Sequence, residues 1–162
     1  MSAIARLIEA IGRVYSGDPW HGPATREVLS GIKADEAAIH PVPAAHSIWE
    51  IVLHMTAWMG EVERRLEGGA PAQPRAGDWP AVPVVSEATW LAAQEALATA
   101  HESLLQAVAA FPEESLAQTV GGARDLPLGT GVSYEEMLRG LIQHNVYHTG
   151  QIALLKRASK DV

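Results

Sequence analysis

His144 and His148 stand four positions apart in a stretch, Leu141 to Ile152, that reads as helix. At that spacing both imidazoles leave one helix face a turn apart, so both can reach a single ion. A third histidine, His54, lies in a second apolar helical stretch, Ile51-Val52-Leu53-His54-Met55. Two imidazoles from one helix and one from another would make a half-open coordination sphere of nitrogen donors, and open positions are where metal chemistry takes place. The chain has no cysteine. A thiolate zinc site and a disulfide framework are therefore excluded, and any thiol chemistry must use a thiol carried by a small molecule.

A second arrangement fits the same spacing: three core histidines bonded separately to carbonyls and waters. A buried ring nitrogen without a partner costs about 1–3 kcal/mol, and three such rings in one core are hard to satisfy one by one. His-x-x-x-His is nonetheless a common coincidence, and the residues between, Asn145-Val146-Tyr147, lack the glutamate that serves as base in His-Glu-x-x-His zinc proteases. Spacing alone leaves both arrangements open.

Several neighbours are candidates for supporting roles. Glu50, one turn before His54, could bond the ligand ring or act as a base on metal-bound water, although a helix-capping role competes for the same carboxylate. Gln151, three residues beyond His148, is either a support for that ring or a surface amide. Trp58, one turn after His54, is expected to form an apolar wall. His21, in Trp20-His21-Gly22-Pro23, could line the mouth of a site. His101 falls on the stripe Trp90, Leu97, Leu104 and Val108, which favours a satisfied core histidine over a fourth ligand. His40, before Pro41, is expected to be solvated, and His46 to act locally beside Ser47. The remaining tryptophans are expected in the core or in a lid.

The elements that must position these residues are helices and connectors. Ile4, Leu7, Ile8, Ile11 and Val14 form one stripe over about 3–15, closed by Ser16-Gly17-Asp18-Pro19. A short helix starts near Pro23 and ends before Gly31, and Pro41 and Pro43 hold the next connector extended. Ser47 and Glu50 form a capping box that opens a long helix, which Gly68-Gly69 ends. Residues 69–85 hold four prolines and read as a long loop. Ser86 caps a helix running to Phe111. Residues 112–132 form a second long loop, and a box of Ser133 and Glu136 opens the last helix, to about Ala158. Neither an internal repeat nor a long alternating pattern is present. The expected fold is all-α: an up-down four-helix bundle with long connecting loops, in a single domain over 1–162.

Composition narrows the partners. The 162 residues are 48% hydrophobic and carry 19 acidic against 12 basic side chains, a net charge of −7. No cluster of lysine or arginine interrupts that balance, so neither nucleic acid nor an anionic membrane is an expected partner. The first residues read as an amphipathic helix and not as a signal peptide, and no apolar run approaches the ~20 residues of a spanning helix. A soluble cytoplasmic protein is the expectation.

Three stretches resemble the DinB-like (YfiT-like) family of small metal-binding four-helix bundles. They are Trp20-His21-Gly22-Pro23, the segment from His46 to His54, and Gly140-Leu141-Ile142-Gln143-His144-Asn145-Val146-Tyr147-His148-Thr149-Gly150-Gln151-Ile152. The resemblance runs in order from about Ala3 to Ala158. It implies that His54, His144 and His148 bind a divalent ion, zinc or nickel, with water or substrate completing the sphere. It also implies a homodimer and, as in some relatives, transfer chemistry with a low-molecular-weight thiol such as bacillithiol or mycothiol. The leading expectation is thus a metal-dependent enzyme of the thiol-S-transferase type acting on a small electrophilic molecule. The alternatives are a metal-dependent hydrolase using metal-bound water, with Glu50 or His21 shuttling protons, and a non-catalytic metal-binding or stress-response module.

Overall fold

The computed structural model describes residues 1–161. Among the described residues there are six α-helices: α1 (Ala3–Ser16), α2 (Thr25–Leu29), α3 (Ala34–Ala38), α4 (Ile48–Leu66), α5 (Glu87–Ala110) and α6 (Tyr134–Ala158). Three of the four long helices start where the serines predict. Ser47 Oγ accepts from the Glu50 amide at 3.1 Å while the Glu50 carboxylate accepts from the Ser47 amide at 2.7 Å. Ser133 and Glu136 repeat that exchange at the start of α6. Ser86 Oγ accepts from the Thr89 amide at the start of α5. Each cap satisfies amides that the first turn leaves without a partner.

Helix α3 lies in what reads locally as an extended connector. Its first amide, at Ala34, donates to the carboxylate of Glu87, the first residue of α5. Glu36 in turn accepts from the Lys33 amide. The cap that secures this five-residue helix is thus a tertiary one, 53 residues away in sequence.

The long helices form a four-membered ring in the order α1, α5, α4, α6, with the α4–α5 pair in the most extensive contact. The bundle expected from the sequence is present. Directions follow from the ends that meet. Ala3 at the start of α1 donates to Glu113 just past α5, so these two helices are antiparallel. Thr25, which bonds the Val14 carbonyl near the end of α1, also bonds Thr149 late in α6, so α1 and α6 run the same way. Trp49 packs on Trp90, joining the starts of α4 and α5. The up-and-down alternation is therefore interrupted at α4 and α5, which run parallel. The loop 67–86 is a crossover the length of the bundle and not a hairpin, and this is why it needs to be long.

The buried residues form one cluster through the ring, with Trp49, Val52, Met55, Leu97, Leu104, Val108, Leu138 and Ile152 at or near zero exposure. The second long loop folds back on itself: the Val120 amide donates to the Val132 carbonyl and the Gly131 amide to the Val120 carbonyl. Gly131 has φ +72°, and a Cβ there would stand 2.6 Å from the Arg124 backbone, so the return requires glycine. Among the described residues no helix is long and apolar enough to cross a membrane.

Ser47 is fully buried and caps the helix that bears His54. Ser47→Ala should lower the unfolding free energy by about 1 kcal/mol, read from urea denaturation, through loss of the side-chain half of the box.

Candidate metal centre

Helices α4 and α6 are antiparallel neighbours, and their shared seam holds the three histidines. His54 projects from the buried stripe of α4 that includes Ile51, Met55 and Val62, while His144 and His148 project from α6 beside Leu141 and Ile152. The ring centroids lie 4.9 Å apart for His54 and His144, 4.8 Å for His54 and His148, and 4.4 Å for His144 and His148. One donor nitrogen from each ring falls within 4.8 Å of the others. His54 and His148 are buried and His144 half-buried.

Hydrogen bonds fix which nitrogen of each ring faces inward. His54 Nδ1 donates to the backbone carbonyl of Asp78 at 2.6 Å. His148 Nδ1 donates to Gln151 Oε1 at 2.6 Å. Both partners are acceptors, so the proton of each neutral ring sits on Nδ1 and the Nε2 lone pair faces inward. His144 Nδ1 is buried without a partner, and its Nε2 meets His54 Nε2 at 2.9 Å. Two imidazole Nε2 atoms that close require a proton or a cation between them. The set fits a divalent ion by its chemistry: neutral imidazole donors, two of them oriented by bonds at the other ring nitrogen, as in established histidine–metal sites. The donor nitrogens lie within 4.8 Å of one another, so the rings must draw together to share one ion with bonds of about 2.1 Å.

Burial and the neighbouring rings keep these imidazoles neutral. The His144 pKa is pushed down to about 4, first by burial and then by the facing His148 and His54. His148 is likewise pushed down to about 4, by burial above all, with the Gln151 bond opposing. His54 is lowered by burial, against the pull of Asp78. Protons therefore do not compete for these nitrogens near neutral pH.

The proline-rich loop 67–86 completes the site. Trp79 stacks on the His54 ring at 3.9 Å and 8° and on the His46 ring at 3.4 Å and 6°, and its edge faces His148. Asp78 accepts from Trp58 Nε1 at 2.7 Å through its carboxylate, which also lies 3.3 Å from His54 Nδ1. Asp78 went unrecognised as a site residue in the sequence, and Trp79 is expected there only as a core or lid tryptophan. Their only signal is an acidic and an aromatic residue set among prolines and small residues. A cavity of about 550 Å³ opens over the triad, bounded by Trp58, Met137, Leu141 and Tyr147, by Arg65, and by Arg124 and residues 126–129 of the second loop. Its size suits a small organic molecule.

The structure sorts the other candidates. Trp58 lines the cavity beside His54, and Gln151 holds His148. Glu50 does not reach His54. Its carboxylate is taken by the Ser47 amide and by His40 at 2.9 Å, bonds that outweigh burial and lower its pKa. His21 is exposed in the loop after α1 and does not line the cavity. His101 is buried away from the triad, stacked on Tyr15 at 4.1 Å.

A family model described as the DinB superfamily matches residues 20–152, and the chain belongs to that superfamily. In three dimensions the chain is similar to a crystal structure described as that of the conserved protein of locus from Enterococcus faecalis. The TM-score is 0.74 at 18% identity, covering 100% of this chain and 99% of that one, which is a likeness of fold. No curated protein matches the chain in sequence.

Two outcomes follow from the geometry. Protein purified without a nickel column should carry a divalent metal by elemental analysis, and His144→Ala should lose it. In chelator-treated protein, the unfolded chain binds more protons than the folded one between the ordinary histidine pKa of 6.5 and the folded value of about 4. Stability should therefore fall as pH drops through that window, with the melting temperature of His144→Ala falling less over the same range.

Proposed function

We propose that this protein is a divalent-metal-dependent enzyme of the thiol-S-transferase type, which joins a low-molecular-weight thiol to a small electrophilic molecule. One observation carries the metal part: His54 and His148 both spend Nδ1 on fixed acceptors, so their Nε2 lone pairs converge with His144 at the floor of a cavity. A structural site would be closed on all sides, whereas this one faces open space. A divalent ion bound there, zinc or nickel, supplies positive charge that lowers the pKa of a thiol or water brought beside it.

The chain's own residues supply the rest. Gln151 and the Asp78 carbonyl hold two rings in the binding tautomer. Trp79 covers His54 from one side, and Trp58, Met137 and Leu141 give the reacting molecules an apolar wall. The absence of cysteine leaves the thiol to the cofactor. The hydrolase alternative needs a base beside the ion. Glu50 is turned away and Asp78 is engaged by Trp58 and His54, an arrangement that favours transfer to a thiol over activation of water.

Assays of the zinc- or nickel-loaded protein with bacillithiol, mycothiol, glutathione and coenzyme A against a model electrophile should show a metal-dependent rate with at least one thiol. No such rate with any of them, alongside hydrolysis of an ester or amide without thiol, would favour the hydrolase. Gln151→Leu should weaken metal binding roughly 10- to 100-fold, measured by competition with a chromogenic chelator, because His148 loses the bond that orients it.

A further inference from the structure

At the end of the cavity away from the histidines stands a buried cation. Arg65, near the end of α4, is 2% exposed yet lines the cavity. Its Nε donates to Glu61 Oε1 at 2.7 Å and its Nη2 to the Ala72 carbonyl at 3.2 Å. Its Nη1 donates to none of the described residues. Nor is Nη1 enclosed by protein: it faces Gly129 on the cavity wall, where a Cβ would stand 3.8 Å away. An arginine cannot shed its charge by losing a proton, so this donor stays cationic wherever it is buried.

The charges around it do not balance. Glu61, itself 3% exposed, accepts from Arg65, from Arg64 through both Nε and Nη2 at 2.9 Å, and from the Ala72 amide. Two guanidiniums thus share one carboxylate. Arg64 is partly exposed and can be hydrated, whereas Arg65 is buried against the cavity. Arg124, on the loop opposite, adds a second guanidinium to the lining, with one long bond to the Thr130 carbonyl. The two carboxylates that face the cavity are committed elsewhere: Asp78 to Trp58 and His54, and Glu136 to the amide and hydroxyl of Ser133. Neither lies within ion-pair distance of Arg65 or Arg124 among the described residues, although the Ser133 bonds and, after them, the Arg124 charge hold the Glu136 carboxyl below its usual range.

We propose that the Arg65 end of the cavity binds the carboxylate of a small monocarboxylate, so that the electrophilic substrate of this site is an acid with an apolar body. The Trp58 ring spans the distance: its centroid lies 5.9 Å from the Arg65 guanidinium carbon and 6.5 Å from the His54 ring. A carboxylate on Nη1 would complete the guanidinium's hydrogen bonds and offset its charge. The apolar body would lie along Trp58, Met137 and Leu141, with the far end of the molecule at the triad. Assigning the reactive end to the triad rests on the proposed metal chemistry. The anion site itself does not.

Binding of hexanoate and its neutral isostere hexanamide, followed by tryptophan fluorescence on the full-length protein, tests this with zinc loaded and after chelation. Hexanoate should bind roughly tenfold or more tightly than hexanamide in both forms and in His144→Ala, as a charge-assisted bond predicts. Arg65→Gln should abolish the preference. Arg65→Lys, which keeps a cation beside Glu61 but offers no free Nη1, should do the same and serves if Arg65→Gln does not fold. Gly140 lines the cavity, and a Cβ there meets open space, so Gly140→Phe should project a ring into the cavity and weaken binding of both probes without lowering the melting temperature. Equal binding of the two probes, a preference that survives loss of Arg65, or binding of both probes untouched by Gly140→Phe would overturn the anion site. A preference seen only with zinc loaded would also overturn it, by placing the carboxylate on the ion. Because the chelated protein and His144→Ala are both read, failure of the metal chemistry and failure of the anion site give different results.

Discussion

Three neutral imidazoles packed into the seam between α4 and α6 are the constraint around which this bundle is arranged. A buried imidazole must find partners for its ring nitrogens, and here two rings find theirs outside the triad, at the Asp78 carbonyl and the Gln151 amide. That choice leaves the inward nitrogens as lone pairs. The same burial that makes the rings costly to charge keeps them unprotonated and available to a cation. Stability and function pull against each other at this point. Without an ion, a proton on His144 Nε2 can bond His54 Nε2, but His144 Nδ1 stays buried without a partner, a local liability of the kind that proteins retain at functional sites.

The long connectors follow from that seam. Helix α4 presents His54 against His144 and His148 while running antiparallel to α6, and it runs parallel to α5, its most extensive neighbour. A parallel pair cannot be joined by a tight turn, so residues 67–86 must travel the length of the bundle. On the way they deliver the Asp78 carbonyl to His54 and slide Trp79 between His54 and His46. The second connector, turned back at Gly131, supplies the opposite wall of the cavity. A crossover imposed by topology thus also covers the site.

Much of this was legible in the residues. Ser47, Ser86 and Ser133 mark helix starts because capping is local chemistry, readable within four residues. The placement of His54, His144 and His148 on inward faces follows from helical periodicity, and the all-α bundle from the number and length of the periodic stretches. What escaped was decided at a distance. Helix α3 depends on Glu87 for its first amide. Glu50, ambiguous between cap and site, was claimed by Ser47 and by His40 ten residues earlier. Asp78 and Trp79 sit in a loop with no periodicity, whose course is set only by where α4 and α5 lie. Arg65 reads locally as the basic end of a helix, and only its pairing with Glu61 and the fold of residues 124–129 put it on a cavity wall.

The shared ion is tested most directly by diffraction. Crystals of the protein loaded with one equivalent of zinc, measured on both sides of the zinc absorption edge, should show a single strong anomalous peak enclosed by Nε2 of His54, His144 and His148, with its remaining positions toward the cavity. An anomalous map with no peak at the triad, or with zinc held only at other side chains, would contradict the shared ion.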